Sequence, residues 1–257
     1  MILGAQLFTV RQHCYTLDDF AETLKKIADI GYTEVQVSGT CDYTGEWLDR
    51  ELKKNGLTCH LTHFNFDRTV NDTQAVIDLH KQIGCPNIGL GAMPGWGEEN
   101  GYESFVGNTV LRDAIKKING AGLRYTYHHH GWEYEKKLAD GKNILRHLAE
   151  EFSADELCFT LDTYWVLDGK ASIEEETEYL SGRLPCVHFK DMFTDESGKN
   201  HMTWCGGGNR INFGDILPLF EKAGTEYVYV EQDDCGEEDP FVCLSRSYDY
   251  LKSLGLE

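Results

Sequence analysis

Eight times along this 257-residue chain a short apolar run is followed by an amphipathic stretch, and that alternation limits the fold more than any other feature. The runs are Ile2 to Phe8, Glu34 to Val37, Leu57 to His63, Asn87 to Leu90, Leu123 to His129, Leu157 to Leu161, Pro185 to Phe189 and Tyr227 to Val230. Between them, apolar residues recur at helical spacing, as in Leu17, Phe20, Leu24, Ile27 and Ile30 before Gly31, or Phe241, Leu244, Tyr248 and Leu251 at the end. Thr16 is placed to cap the first of these helices, with Asp18 and Asp19 at its positive end. Strands separated by helices must pair in parallel, because a helix returns the chain to the edge it left. Eight such units make a single (β/α)8 TIM barrel over residues 1–257. The competing open doubly wound sheet lacks a Gly-x-Gly-x-x-Gly turn after its first strand.

Composition removes several functions. An excess of 43 acidic over 24 basic residues gives a net charge of −19, which repels phosphate backbones and anionic lipid, so neither nucleic acid nor membrane is expected as a partner. Nine scattered cysteines without a Cys-x-x-Cys pair read as free thiols. No basic leader, long apolar leader or membrane-length run is present, and the expected location is the cytoplasm.

The ends of the later strands carry the chemistry. Tyr127-His128-His129-His130-Gly131-Trp132-Glu133 follows the fifth strand, Asp162 the sixth, His188 closes the seventh and Glu231 the eighth. In a barrel all four stations face one mouth, and the expectation is that Glu133, Asp162, His188 and Glu231 converge on one divalent ion. Such a hard, oxygen-rich set suits Mn2+ best, with Mg2+, Co2+ or Zn2+ as alternatives. His63, His130, Lys190, Arg11 and Trp165 are candidates for contacting substrate, and Trp132 for covering an apolar sugar face. In an extended strand His128 and His130 share one side and His129 takes the other. The glycine-rich stretch Gly206 to Arg210 could cradle an anion, and Gly91 to Asn108 is a long loop on the mouth side.

Several segments resemble the xylose-isomerase-like barrel superfamily, in its sugar phosphate isomerase and epimerase branch. They are Tyr127 to Tyr134, Leu161-Asp162-Thr163-Tyr164-Trp165, Val187-His188-Phe189-Lys190-Asp191, Val230-Glu231-Gln232-Asp233 and the opening Gln6-Leu7-Phe8-Thr9-Val10-Arg11. The resemblance implies the same four ligands, with Glu133 and Glu231 on opposite faces of a bound sugar as acid and base. Three positions depart from the family's pattern: Gln36 stands where an acidic residue is common, His129 where asparagine is usual, and Asn209 where a second spaced glycine is common.

The implied chemistry is proton abstraction beside a carbonyl, through an ene-diolate whose charge forms against the cation. Return of the proton from the opposite face epimerises the carbon; return to the neighbouring carbon isomerises the sugar. Loss of a β-hydroxyl would make the chain a dehydratase of the inosose or dehydroshikimate type. An abasic-site endonuclease and a non-catalytic sugar-binding protein share the fold as more distant alternatives. The expected substrate is a small carbohydrate, neutral in preference to phosphorylated; self-association stays open.

Overall fold

The eight apolar runs form the strands of a closed parallel barrel in a computed structural model that describes residues 1–257. The strands are β1 (Ile2–Gln6), β2 (Glu34–Val37), β3 (Thr58–His63), β4 (Asn87–Leu90), β5 (Arg124–His128), β6 (Cys158–Asp162) and β7 (Cys186–Phe189). A hairpin of β8 (Asp191–Thr194) and β9 (Asn200–Thr203) intervenes before β10 (Tyr227–Val230) closes the barrel against β1. The helices pack outside. Leu17–Ile30 is representative: the Thr16 hydroxyl accepts the Asp19 N–H at 3.1 Å, Phe20, Leu24 and Ile27 are fully buried, and Gly31 ends the helix at φ 122°. Burying three such side chains contributes roughly 1.5–3 kcal/mol each.

The main core lies between the outer face of the barrel and the helices. Residues such as Val35, Ile88, Tyr127, Phe159, Val187 and Val228 supply it from the strands, and Phe213 and Phe220 pack on Phe189 with ring centroids 5.0 and 5.5 Å away. The other side of each strand faces the barrel axis, and there apolar packing is confined to Leu61, Cys186 and Tyr229. Tyr229 crosses this interior because β1 offers no side chain at Gly4, where a Cβ would come within 2.8 Å of the tyrosine ring. Two residues further along, the inward positions turn polar: Gln6 on β1, Gln36 on β2, His63 on β3, His128 on β5, Asp162 on β6, His188 on β7, and Glu231 just past β10. The two-residue repeat of a strand thus divides the interior into a floor and a mouth.

Two connections differ from expectation. The loop Gly91 to Asn108 contains a helix, Gly101–Val106, anchored by buried Tyr102 and Phe105. The connection after β7, ahead of the glycine-rich stretch, contains the β8–β9 hairpin, whose strands are short and partly exposed and so lack a core-facing alternation to read. Its turn is organised by Asp195, whose carboxylate accepts the N–H groups of Ser197 and Lys199. All nine cysteines are unpaired, and no helix is long and apolar enough to cross a membrane.

Candidate active site

Four side chains meet at the mouth: His128, Asp162, His188 and Glu231 each offer one ligand atom, and these atoms lie within 4.8 Å of one another. The far atom of each is already engaged. His128 Nδ1 pairs with the Gly91 carbonyl at 3.0 Å, and His188 Nε2 with Gln36 Oε1 at 2.6 Å. Asp162 Oδ1 accepts the Trp165 N–H at 3.1 Å, capping the short helix Thr163–Asp168, and Glu231 Oε1 accepts from Gln6 Nε2 at 2.9 Å. The atoms left over face inward. His128 Nε2 is 3.4 Å and His188 Nδ1 3.7 Å from Asp162 Oδ2, and His188 Nδ1 is 3.0 Å from Glu231 Oε2. Outer partners that fix ring orientation and direct one nitrogen at a common point characterise metal-binding histidines.

Lys190, also buried, places its ammonium 2.6 Å from Asp233, 3.2 Å from Glu231 and 3.6 Å from Asp162. Three carboxylates around one ammonium leave an excess of two negative charges when the imidazoles are neutral. Burial opposes ionisation of Asp162 and Glu231, but Lys190 and the neighbouring imidazoles overcome it and hold both well below the usual carboxylate range. For His188, burial disfavours the imidazolium, yet Glu231 and Asp162 raise it to about 9. His188 Nδ1 nonetheless makes no hydrogen bond of acceptable angle, although it is fully buried. A divalent cation fits this set: it would complete the orphaned nitrogen, balance the excess charge, and displace the His188 proton.

The structure brings Asp162, His188 and Glu231 together and sets Glu133 apart. Glu133 lies in a helical turn, Trp132–Glu135, beyond the end of β5, with Oε1 accepting from the Tyr127 hydroxyl and Oε2 from the His130 N–H, both at 2.7 Å. Burial without a cation pushes its carboxyl up to about 8, against donors that pull the other way. The fourth place belongs to His128, the last residue of β5. The two-residue repeat that separates His128 and His130 from His129 was the signal for it; taking the carboxylate Glu133 as this strand's ligand passes over it. His129 instead accepts the Asp162 N–H through Nε2 at 2.9 Å.

A cavity of about 280 Å³ opens onto the cluster, lined among others by His63, His130, Trp165, Lys190, Glu231 and Asp233. His63 Nε2 is buried without a partner, its Nδ1 lying 3.3 Å from the Ser38 hydroxyl. Burial, reinforced by His128 and His188, holds His63 well below the usual imidazole range, so it is neutral. Arg11 does not reach this cavity. Its guanidinium binds the Phe8 and Asp233 carbonyls and ties the segment after β1 to that after β10. Nor do Gly206 to Arg210 offer an anion cradle, because the Asp191 carboxylate takes the N–H groups of Gly206 and Gly208 at 2.8 and 3.0 Å.

Comparison with solved structures places the whole chain in a common fold. A sugar phosphate isomerase/epimerase from Parabacteroides distasonis superposes with a TM-score of 0.79 at 20% identity, covering 98% of this chain and 93% of that one. A probable 3-DHS dehydratase, AsbF, from Bacillus anthracis gives 0.72 at 14% identity, covering 98% and 99%. An L-ribulose 3-epimerase gives 0.72 at 14%, covering 99% and 94%. No curated protein sequence matches. The family model described as xylose isomerase-like TIM barrel matches residues 24–241, and with the closed eight-stranded barrel this establishes that the chain belongs to that family.

Proposed function

We infer that this chain is a divalent-metal-dependent epimerase or isomerase of a ketose or keto-polyol, with His128, Asp162, His188 and Glu231 as the metal ligands. The observation that carries the reading is the convergence of four inward ligand atoms whose far atoms are each held by Gly91, Gln36, Trp165 or Gln6. Two imidazoles and two carboxylates suit Mn2+, Co2+ or Zn2+; Mg2+, which prefers oxygen alone, is the least suited. A divalent ion bound there would polarise a substrate carbonyl and ease removal of the adjoining C–H proton.

The chain's own groups do the rest. Glu231, at the cavity wall, takes the proton. The Lys190 ammonium, fixed by Asp233, holds a substrate oxygen and stabilises charge that develops on it. Across the cavity, three strands round the barrel from β10, neutral His63 presents Nε2 as a group for proton exchange on the other face. Glu133 then acts at one remove, positioning the His130 backbone, and carries no proton to substrate.

The test is deuterium incorporation. Mn2+-loaded protein is incubated in D2O with a panel of ketoses and inososes, and the products are read by proton NMR after the metal is stripped. Deuterium beside a carbonyl, with or without a new sugar, supports the reading. Loss of water selects a dehydratase. No exchange with any compound, despite stoichiometric bound metal, removes it.

A further inference from the structure

Beside the metal-ligand cavity lies a second one of about 430 Å³, sharing Ala92, His130 and Trp165 with it. Indole rings dominate its walls. Trp96, from the loop after β4, stacks on Trp132 with centroids 5.5 Å apart and planes 24° from parallel, although Trp96 is 53% exposed. Trp165 partitions the two cavities, with the Lys190 ammonium 4.9 Å from its ring centroid. Glu135 and Asp168 supply carboxylates, and no lysine or arginine lines the space. Asn200 holds Asp168 Oδ1 at 2.9 Å. A Cβ on Gly131 would come 3.2 Å from Asp168 Oδ2 and 3.7 Å from the Trp165 ring, so glycine keeps this wall open.

The first cavity alone is small for a ligand site, which is usually about 300–1,000 Å³. Taken together the two are of ordinary size, and their partition is an aromatic ring. We propose that the second cavity receives the distal unit of an uncharged two-unit substrate: a glycoside whose keto-sugar end occupies the metal-ligand cavity. The proposal rests on the proton-abstraction reading above. Indole faces suit the C–H faces of a pyranose, while its hydroxyls donate to carboxylates such as Asp168. An anionic distal group would meet Glu135 and Asp168 with no cation to offset them. Another cavity, sharing Ser38 and His63 with the metal-ligand cavity on its opposite side, does contain a cation, Arg68. That guanidinium lies 5.2 Å over the Phe64 ring, and Asp42 lines the same wall, which makes it a poor phosphate site.

Calorimetric titration of the metal-loaded protein decides the matter, with isomaltulose, turanose and lactulose compared against D-fructose and D-fructose 6-phosphate. At least one disaccharide should bind about tenfold more tightly than fructose. Trp96→Ala, at an exposed position, should abolish that advantage and leave fructose binding unchanged. Three results overturn the subsite: equal affinity for fructose and all three disaccharides, an equal loss for both classes in Trp96→Ala, or fructose 6-phosphate binding more tightly than every disaccharide. Deuterium exchange separates the two ideas. Exchange into fructose with no disaccharide preference retains the chemistry and removes the subsite; tight, Trp96-dependent disaccharide binding without exchange retains the subsite and removes the chemistry.

Discussion

The barrel interior holds two buried clusters of carboxylate, imidazole and tyrosine or lysine, one at the floor and one at the mouth, and they are finished differently. At the floor, Glu34 Oε1 accepts from the His60 N–H at 2.7 Å and the Tyr229 hydroxyl at 2.8 Å, while Oε2 meets His60 Nδ1 and the Thr58 hydroxyl. Every lone pair of that carboxylate has a partner inside the protein. At the mouth, His188 Nδ1 makes no well-angled hydrogen bond although Glu231 Oε2 is 3.0 Å away, His63 Nε2 has no partner, and three carboxylates surround a single ammonium. A saturated polar cluster specifies structure; one whose atoms converge without closing on each other is built for something that arrives later.

The largest effect that tests this contrast is Glu231→Gln. Turnover should fall by roughly 10²–10⁴-fold while the metal-free protein still unfolds in one cooperative transition; retained turnover would take Glu231 out of the chemistry. Glu34→Ala should do the reverse. Removing the acceptor from buried Tyr229 and the His60 amide should cost about 3–5 kcal/mol in denaturant unfolding and leave metal affinity, measured on the folded fraction, unchanged. Equal stability of the two proteins would mean that the floor is not the structural cluster.

Glu133 stands between these cases: it is satisfied by two neutral donors yet has no cation. Its folded-state carboxyl sits at about 8 against an ordinary value of 4.5, so between those limits the folded protein holds a proton that the unfolded chain has lost. Stability from this group is complete below pH 4.5 and disappears as pH rises through 8. Glu133→Gln lacks that dependence, and across the window the wild type should lose roughly 5 kcal/mol relative to it. A constant difference in midpoint between the two from pH 4 to 9 would show that the Glu133 carboxyl titrates in the folded protein where it does in the unfolded chain. The smallest change is expected for Gln36→Ala, which frees the outer nitrogen of His188. Metal affinity should weaken about tenfold, as when a ligand's outer partner is removed. Unchanged affinity would leave Gln36 without a role in orienting the ring.

Much of this was legible in the chain. Alternation of apolar runs with helical patterns gives the barrel, since parallel pairing follows from each helical return. Asp162, His188 and Glu231 could be read as neighbours because each stands at or beside the end of its strand, at the same height. The hairpin β8–β9 could not, because short half-exposed strands carry no face preference. Trp96 also gave no sign of meeting Trp132, because a loop has no period from which to infer direction.

The sequence by itself determined the element order, the closed fold and the rim on which chemistry collects, because these depend on local periodicity and on how strands separated by helices must pair. Only the tertiary structure decided that His128 completes the cluster and Glu133 does not. After β5 the backbone enters a helical turn at Gly131, with φ −66° and ψ −32°, and the strand's two-residue repeat ceases to say which way a side chain points. From there the direction of Glu133 is fixed by the Tyr127 hydroxyl and the His130 amide.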